Sequence, residues 1–435
     1  MNLPAPALTA DKDSHMQEAH PFPVNAASIK LAEGVLAEIL VPTALQLNRN
    51  LSRRFNAEVY LKREDLQIVR SYKIRGAYNK MRSMPAAELA KGIVCASAGN
   101  HAQGVAFSCR ALEVHGKIFM PATTPKQKIQ QVQLFGESFV EVILTGDTFD
   151  DAYLTALTLS KHQGMPFIHP FDDWKVIEGQ GTVGLEIVQQ STRPIDFLFL
   201  PVGGGGLGSG VSILFSELSP ETVIIGVEPE GAPSMKTSLD NGEVTVLENI
   251  DKFVDGAAVK RVGERNFSVF TALGIEVVIV PEGKVCSTIL KLYNEEAIVA
   301  EPAGALTIAC LDQFREQIQG KTVVCVLSGG NNDITRTEEI RERAMLYEGL
   351  KHYFIVRFAQ RAGALREFLE LVLGPNDDIV HFEYSKKSSR EKGAAVVGLE
   401  LKDPADLDTL LQKMADYHIN YEYLNNKPEM LQYLV

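Results

Sequence analysis

The sequence lacks any long apolar run. No stretch approaches the eighteen or more consecutive apolar residues that a membrane-spanning helix needs. Its start, MNLPAPALTADKDSHMQEAH, carries prolines and acids where a secretory signal would have a basic segment followed by an apolar one. We therefore expect no membrane partner and a protein that stays in the cytoplasm.

Cysteine and clustered metal-binding residues are also scarce. The 435 residues include five cysteines and nine histidines. The cysteines form no CxxC pair and the histidines no HxxxH spacing, so the sequence predicts no metal site. Cys95 and Cys325 lie inside apolar runs, which indicates buried, reduced thiols.

Positive charge is in deficit. The chain has 43 Lys and Arg residues against 55 Asp and Glu residues, a formal net charge of −12. Binding a phosphate backbone requires a basic face. We therefore expect no nucleic-acid partner.

The chain does contain enough apolar material for more than one folded core. It is 45% hydrophobic and 23% charged, as ordinary globular proteins are, and it is too long for a single core. From about residue 30 to 335, short β-branched runs alternate with helix-like segments, which predicts an α/β fold with two mostly parallel sheets. The predicted strands are GIVCAS (92–97), GKIFMP (116–121), SFVEVIL (138–144), DFLFLPV (196–202), VIIGVEP (223–229), GIEVVIV (274–280) and KTVVCVLS (321–328). Helices are predicted over 124–136 and 148–164, the second with Thr148 as its N-cap and Gly164 at its end.

The pattern changes after residue 334. A charged, helix-like linker, ITRTEEIRERAMLYEG, is followed by alternating strand and helix patterns in the order βαββαβ. That order is typical of a ferredoxin-like domain. Its first helix would bury a stripe formed by Leu365, Phe368, Leu369 and Val372, and its second helix a stripe formed by Leu407, Leu410, Leu411 and Met414.

The stretch FLFLPVGGGGLGSG reads as a strand followed by a glycine loop and a helix. Four consecutive glycines, Gly203 to Gly206, allow a tight turn that points several amide N–H groups at one place beside a helix N-terminus. We interpret the loop as a phosphate cradle. Gly203, Gly205 and Gly208 also satisfy GxGxxG, and Glu228 stands where a dinucleotide site would hold its ribose acid, so an NAD-dependent oxidoreductase is an alternative.

Two further turn segments follow predicted strands. In SAGNHAQG (97–104), polar side chains surround the start of a helix, a natural seat for a carboxylate. In LSGGNND (327–333), Ser328 ends a strand and two glycines allow a planar ligand to approach closely. Open α/β sheets place ligands at such strand ends, so the sequence predicts a phosphate seat, a carboxylate seat and a hydroxyl there.

Five segments in order carry a resemblance to a known family. They are SYKIRGA (71–77), SAGNHAQG (97–104), GGGGLGSG (203–210), EPAGA (301–305) and SGGN (328–331). They resemble the threonine dehydratases, pyridoxal-phosphate enzymes of the tryptophan-synthase-β type (fold type II), and the C-terminal module resembles the ACT-like regulatory domain of the biosynthetic form. The resemblance implies a flexible tail (1–22), a catalytic region (23–335) with a smaller subdomain inserted at about 70–172, a linker (336–350) and one ACT-like domain (351–435).

The resemblance also implies roles for individual residues. Lys73 would join covalently to pyridoxal phosphate and then serve as the base at the substrate α-carbon. The other cofactor contacts would be Asn100 at the ring hydroxyl, Ser328 at the ring nitrogen and, around the phosphate, Gly203, Gly204, Gly205, Gly206 and Leu207. The substrate carboxylate would be held by Ser97, Ala98, Gly99, Asn100 and His101.

A lysine can act as a base near neutral pH only if burial or a neighbouring cation such as Arg75 lowers its pKa. Of the other basic residues nearby, Arg70 and Lys80 are expected to be surface charge, and Lys62 has no evident role.

The implied reaction is the conversion of L-threonine, with L-serine possible, to a 2-oxoacid and ammonia. Isoleucine would be the effector, and a homo-oligomer is expected. A catabolic serine/threonine dehydratase and a catalytically inactive amino-acid sensor remain alternatives. The chain departs from related sequences at four positions. Tyr72 stands where phenylalanine is common, Ala98 where serine racemases carry a second serine, Ser234 in place of an acidic metal ligand near Glu228, and Ala362 in place of a proline.

Overall fold

A computed structural model describes residues 22–384 and 392–431. The predicted tail, 1–22, lies outside these residues except for Phe22. The strands are β1 (Leu45–Leu47), β2 (Glu58–Arg63), β3 (Ile93–Ala96), β4 (Gly116–Met120), β5 (Val140–Leu144), β6 (Phe197–Pro201), β7 (Val223–Pro229), β8 (Glu276–Val280), β9 (Thr322–Leu327), β10 (Lys351–Ala359), β11 (Asp378–Tyr384), β12 (Lys392–Glu400) and β13 (Asn420–Tyr423). The helices are α1 (Ala26–Leu36), α2 (Arg49–Phe55), α3 (Lys73–Arg82), α4 (Ala86–Leu89), α5 (Asn100–Leu112), α6 (Lys126–Gly136), α7 (Phe149–Gln163), α8 (Trp174–Gln190), α9 (Gly206–Leu218), α10 (Ser234–Asn241), α11 (Glu264–Leu273), α12 (Glu282–Glu296), α13 (Pro302–Ala309), α14 (Thr337–Tyr347), α15 (Ala364–Leu371), α16 (Asp406–Asp416) and α17 (Pro428–Leu431).

The largest sheet has the order β1-β2-β9-β6-β7-β8. All of its neighbouring strands are parallel except β1, which runs antiparallel to β2. Alternate residues of β9 enter different apolar clusters, Val323 and Cys325 in one and Val324 and Val326 in another, so both faces of the sheet are covered. The sequence analysis did not predict β1 or β2, because β1 has only three residues and β2 ends in the charged pair Lys62–Arg63.

A smaller sheet, β3-β4-β5, is entirely parallel and is formed by the chain between β2 and β6. Helices α5 and α6 lie against one of its apolar clusters, and α7 contributes to another. Helix α7 begins and ends as its sequence predicts, because Thr148 forms a capping box with Asp151 and Gly164 closes the helix at φ +62°. The prediction of two mostly parallel sheets is confirmed.

The C-terminal sheet is antiparallel with the order β11-β12-β10-β13. This is the strand order of a ferredoxin-like βαββαβ unit, and the predicted C-terminal fold is confirmed. Its core is apolar, built on Phe354 and Val356 of β10 and on the packing of Phe368 against Phe358, whose ring centroids are 5.4 Å apart. The apolar stripe of α15 is only partly covered, because Leu365 and Leu369 stay 39% and 41% exposed.

The predicted linker contains a helix that contacts both sides of the junction. In α14, Ile340 and Ala344 are buried in the apolar cluster of the large sheet. On the same helix, Glu342 pairs with Lys351 and accepts a hydrogen bond from the Tyr353 hydroxyl at 2.6 Å. Helix α14 therefore ties the catalytic region to β10, and the domain boundaries given by the sequence stay a prediction.

The cysteines and the helices bear on two further expectations. All five cysteines are buried and none is in a disulfide, which confirms the prediction of buried, unpaired thiols. Within residues 22–384 and 392–431, no helix combines the length and apolar character that crossing a membrane requires.

Candidate active site

Lys73 lies at the first position of α3, opposite the end of β9. The residues before it pair with the segment after β9, since Ser71 and Gly329 form a β-bridge and the Tyr72 amide donates to the Ser328 carbonyl at 3.1 Å. The Lys73 ammonium group donates to the Pro170 carbonyl at 3.1 Å. The structure thus brings together Lys73 and Ser328, which are 255 positions apart in the sequence.

The environment of Lys73 favours a reactive amine. Burial lowers the pKa of Lys73 to about 8, and the negative charge of Glu301 opposes that shift. The expectation that Arg75 lowers the pKa of Lys73 is not met, because the Arg75 guanidinium pairs with Glu64 and Glu186 instead. The amine is therefore closer to its reactive, neutral form at physiological pH than an exposed lysine is.

The charges around Arg75 form a buried network beneath Lys73. The Arg75 guanidinium contacts the Glu64 and Glu186 carboxylates at 2.7 and 2.6 Å, and the Lys62 ammonium contacts Glu186 at 2.5 Å. Two cations balance two anions, which joins β2, α3 and α8 without net charge. The sequence analysis missed this network, because its members are distant in the chain. The pairing explains how Lys62 and Arg75 come to be buried and holds the helix that begins with Lys73.

The glycine loop begins helix α9. Gly205 adopts φ +95° as its N-cap, and a Cβ at Gly204 would lie 2.3 Å from the Phe171 ring. In the described part of the chain, the amides of Gly203 to Leu207 donate no hydrogen bond. These N–H groups therefore remain available at a helix N-terminus, an arrangement that binds a phosphate group.

Residues 170 and 171 connect Lys73 to the glycine loop. Pro170 accepts the hydrogen bond from Lys73, and the next residue, Phe171, packs directly on Gly204. The segment is fixed by His169, whose Nδ1 accepts from the Phe171 and Asp172 amides at 3.3 and 2.8 Å. Burial lowers the pKa of His169 to about 4, so the imidazole stays neutral and able to accept.

The start of helix α5 forms a second group of polar atoms, in addition to the glycine loop, that could bind a ligand. The Ser97 hydroxyl accepts from the Gly99 amide at 3.2 Å, and a Cβ at Gly99 would meet nothing within 4 Å. Among the described residues, the amides of Asn100 and His101 find no acceptor. The helix start thus offers free N–H groups and open space to an anionic group, and Ala98 beside it is half-buried.

The His101 side chain points away from this seat. Its Nε2 contacts the Ile168 carbonyl at 2.9 Å, and burial, together with the charge of Lys73, lowers the pKa of His101 to about 3. Because a carbonyl only accepts, the neutral imidazole carries its proton on Nε2. A role for His101 in holding the substrate therefore stays a prediction that rests on its amide and not on its imidazole.

Glu228, the acid that the dinucleotide alternative requires, is engaged elsewhere. Its carboxylate accepts from the Met235 and Lys236 amides, each at 2.8 Å, and so caps helix α10. Burial raises the pKa of Glu228 to about 8, and the two amides oppose that shift. The glycine loop thus lacks the ribose acid predicted for it, and the NAD-dependent alternative loses its support.

Comparisons with known proteins agree with the site. Residues 36–329 match a family model described as pyridoxal-phosphate dependent enzyme, which defines the class of protein. Residues 342–434 match the C-terminal regulatory domain of threonine dehydratase. The chain therefore belongs to the threonine dehydratase family of pyridoxal-phosphate-dependent enzymes, and the predicted family, fold and cofactor are confirmed.

Individual relatives cover most of the chain. It is 54% identical to the biosynthetic L-threonine dehydratase of Halalkalibacterium halodurans, over 95% of this chain and 99% of the relative. The biosynthetic L-threonine dehydratase of Bacillus subtilis is also 54% identical, over 92% of this chain and 94% of the relative. Among solved structures, the processed form of threonine deaminase isoform 2 from Solanum lycopersicum superimposes with a TM-score of 0.71 at 42% identity, covering 74% of this chain and 87% of that one.

Proposed function

We propose that the chain converts L-threonine to 2-oxobutanoate and ammonia, and that isoleucine controls this reaction through the C-terminal domain. The observation that carries the proposal is the position of Lys73, a lysine with a lowered pKa that is joined through Pro170 and Phe171 to a cradle of free amides. The relatives named biosynthetic L-threonine dehydratase support the choice of substrate.

The cofactor contacts follow from the donors in the cleft. The amides of Gly203, Gly204, Gly205, Gly206 and Leu207 hold the phosphate, as the free N–H groups of that loop support. Asn100 would supply a donor to the ring hydroxyl, and Ser328, which is 1% exposed and follows β9, would hold the ring nitrogen. When bound, pyridoxal phosphate supplies the electron sink that makes loss of the substrate α-proton feasible.

The chain's own groups position the substrate and move its proton. The free amides at the start of α5 hold the substrate carboxylate, with Ser97, Ala98 and Gly99 shaping the turn before them. The Lys73 amine, once free, accepts the proton from the α-carbon, since a pKa near 8 leaves it partly unprotonated. Loss of the β-hydroxyl as water leaves an enamine, and hydrolysis of its imine tautomer gives the 2-oxoacid and ammonia.

The control of the reaction is assigned to the C-terminal domain and reaches the cleft through α14. The guanidinium carbons of Arg336, the N-cap of this helix, and of Arg343 within it lie 4.6 and 4.5 Å from the centroid of the Phe253 ring. Asp255, two residues after Phe253, forms an ion pair with Lys128 of α6. One short segment, 253–255, therefore contacts both the linker helix and the smaller sheet's layer of helices.

Three further parts of the proposal rest on the family resemblance. L-serine is a possible second substrate, the protein is a homo-oligomer, and it acts in the cytoplasm, as expected for a biosynthetic enzyme. A catabolic serine/threonine dehydratase is the less favoured alternative, because residues 342–434 match a regulatory domain.

The decisive assay measures 2-oxoacid formation by the purified holoenzyme. We expect 2-oxobutanoate from threonine and less of it when isoleucine is added. Turnover of serine alone would contradict the choice of substrate, and turnover of threonine that isoleucine leaves unchanged would contradict the choice of effector. Binding of isoleucine without any 2-oxoacid production would identify an inactive sensor.

A further inference from the structure

Glu301 is a buried carboxylate at the cleft to which the proposed function gives no role. It is the first residue of the EPAGA segment, is 5% exposed and stands at the N-cap position of α13, where its side chain makes no capping hydrogen bond. Its Oε1 accepts a hydrogen bond from Asn100 Nδ2 at 2.7 Å. Of the ionised groups in the described chain, Glu301 is also the one whose charge acts on the pKa of Lys73. It therefore contacts one of the proposed cofactor residues. It also lies near the other, because Gly329, which packs against the Glu301 carboxylate, pairs with Ser71, two residues before Lys73.

The hydrogen bonds around Asn100 fix which way its amide points. Asn331 Nδ2 donates to the Val69 carbonyl at 2.9 Å and to Asn100 Oδ1 at 2.7 Å. A carbonyl can only accept, so the Asn331 amide cannot be reversed, and Asn100 must present its oxygen to it. Asn100 Nδ2 then faces Glu301, and its second N–H is the donor left for a ligand.

Glycines beside Glu301 leave room for its carboxylate. The Glu301 amide donates to the Gly329 carbonyl at 3.1 Å. A Cβ at Gly329 would lie 2.3 Å from Glu301 Oε1, and one at Gly256 would lie 3.5 Å from the same atom. Any side chain at residue 329 would displace the carboxylate, so this glycine, in the SGGN segment, keeps Glu301 against Asn100.

Charged groups from several elements face Glu301. Lys73 of α3 and Lys128 of α6 are the cations, Asp255 is a second acid, and the Tyr72 hydroxyl is a further titratable group that feels the Glu301 charge. Burial raises the pKa of Glu301 to about 7, and the charge of Asp255 acts in the same direction. The carboxylate is therefore partly ionised near neutral pH, and its ionised form stabilises positive charge on Lys73.

We propose that Glu301 is a positioning residue with two effects: it holds the Asn100 amide with its free N–H toward the cofactor ring, and its charge stabilises a positive charge at the Lys73 nitrogen. The proposal rests on the proposed cofactor site. It gives the EPAGA segment a role in orienting Asn100, which differs from the phosphate binding proposed for the glycine loop and the carboxylate binding proposed for the start of α5.

Two substitutions separate the two effects. Glu301→Gln keeps an acceptor for Asn100 and removes the charge, whereas Glu301→Leu removes both. We measure the affinity of the apoprotein for pyridoxal phosphate and the pH at which the visible absorption of the bound cofactor changes. Glu301→Gln should change the affinity less than about threefold and move the absorption midpoint to lower pH. Glu301→Leu should weaken cofactor binding about 10- to 100-fold, as loss of a hydrogen bond to a charged group does.

Asn331→Ala provides an independent route to the same amide. It should weaken cofactor binding in the same way as Glu301→Leu, and the double variant should bind no more weakly than the worse single one, because both act through Asn100. Glu282→Gln is the matched control. Burial also raises the pKa of Glu282, but its carboxylate accepts a hydrogen bond from the Gly231 amide at 2.7 Å instead of contacting Asn100. This control should leave both readouts unchanged.

The outcomes distinguish this inference from the proposed function. Wild-type affinity in both Glu301→Leu and Asn331→Ala would overturn the positioning effect, and an unmoved absorption midpoint in Glu301→Gln would overturn the charge effect. If Glu301→Leu fails to fold, the midpoint in Glu301→Gln and the affinity of Asn331→Ala still decide. A wild-type protein that binds no pyridoxal phosphate would contradict the proposed function instead.

Discussion

The region around Lys73 and the C-terminal domain bury different kinds of side chain. Beneath Lys73, the ion pairs of Arg75 with Glu64 and Glu186 lie in the interior, and Lys62 is completely buried with them. In the C-terminal domain the core between sheet and helices is apolar, and ion pairs such as Arg366–Glu370 stay on the surface. The buried pair of Lys351 with Glu342 lies at the junction with α14 and not in that core.

Buried charges are costly to desolvate and are poor devices for stability alone. Their concentration around Arg75, in the helix that begins with Lys73, indicates that they hold groups in place there. Surface pairs in the C-terminal domain should contribute little to stability. The following predictions test that contrast, from the largest expected effect to the smallest.

The largest effect is expected for the amine itself. Lys73→Ala should abolish threonine turnover, because it removes the only base assigned to the α-carbon, while leaving the thermal unfolding temperature close to that of the wild type. The matched control is Lys80→Ala, since Lys80 forms a half-buried pair with Asp173 at 2.7 Å and has no assigned chemistry. Turnover retained by Lys73→Ala would show that another lysine carries the reaction.

The second prediction compares a buried pair with a surface pair. Glu186→Gln leaves Lys62 without its charged partner and Arg75 with Glu64 alone, and it should lower the free energy of unfolding by about 3–5 kcal/mol. Glu370→Gln, which breaks the exposed pair with Arg366, should lower it by about 0.5 kcal/mol or less. Denaturant unfolding of both variants measures the difference, and equal effects would remove the contrast between the two regions.

The third prediction concerns the boundary between the regions. A chain that ends after Gly349 keeps α14, whose Ile340 and Ala344 belong to the catalytic core, and loses the antiparallel sheet. It should retain threonine turnover and lose inhibition by isoleucine. A chain that ends at residue 340 should instead have a destabilised catalytic region, because it lacks most of α14, including the buried Ala344. Inhibition that persists after truncation at 349 would place the effector site outside the C-terminal domain.

The fourth prediction concerns the contact between α14 and the segment 253–255. Phe253→Leu removes the ring that lies between Arg336 and Arg343 and should raise the isoleucine concentration needed for half-inhibition about tenfold, within the usual coupling of about 1–3 kcal/mol. Phe314→Leu is the control, because Phe314 is buried in the same apolar cluster and packs on Phe199 at 5.1 Å. If both variants raise the isoleucine concentration for half-inhibition equally, the contacts of Arg336 and Arg343 with Phe253 do not transmit the inhibition.

The fifth prediction is a pH dependence of the apoprotein. Only the neutral form of Lys73 can attack the cofactor aldehyde, and its pKa is lowered to about 8. The rate of covalent cofactor attachment should therefore fall as the pH drops below about 8 and level off above it. Rapid mixing of apoprotein with pyridoxal phosphate measures that rate. A rate that still rises steeply up to about pH 10 would mean that Lys73 titrates as an exposed lysine does.

Much of the fold could be predicted from the sequence, because buried parallel strands and glycine turns leave local patterns. The strand that precedes the glycine loop, β6, lies within its predicted segment, as does β9. Strand β2 was missed because Lys62 and Arg63 interrupt its apolar pattern, and their pairing with distant residues leaves no local signal. The prediction of a buried apolar stripe on α15 was only partly correct, because Leu365 follows the helical period yet stays exposed.

The site was predicted in the same uneven way. The glycine run predicted a phosphate cradle and the family resemblance implied a role for Lys73, whereas the Asn100–Glu301 contact joins residues 201 positions apart and was not predicted. The only signal for Glu301 in the sequence was its place in the EPAGA segment. Contacts of this kind depend on the tertiary fold and not on spacing.

The central claim is that Lys73 joins the cofactor in a cleft built for threonine. The most direct test is reduction of the yellow holoenzyme with borohydride, followed by proteolysis and mass spectrometry of the labelled peptide. The account predicts one pyridoxal-phosphate adduct, on Lys73, and none in the Lys73→Ala variant. An adduct on another lysine, or a colourless protein that binds NAD instead, would contradict it.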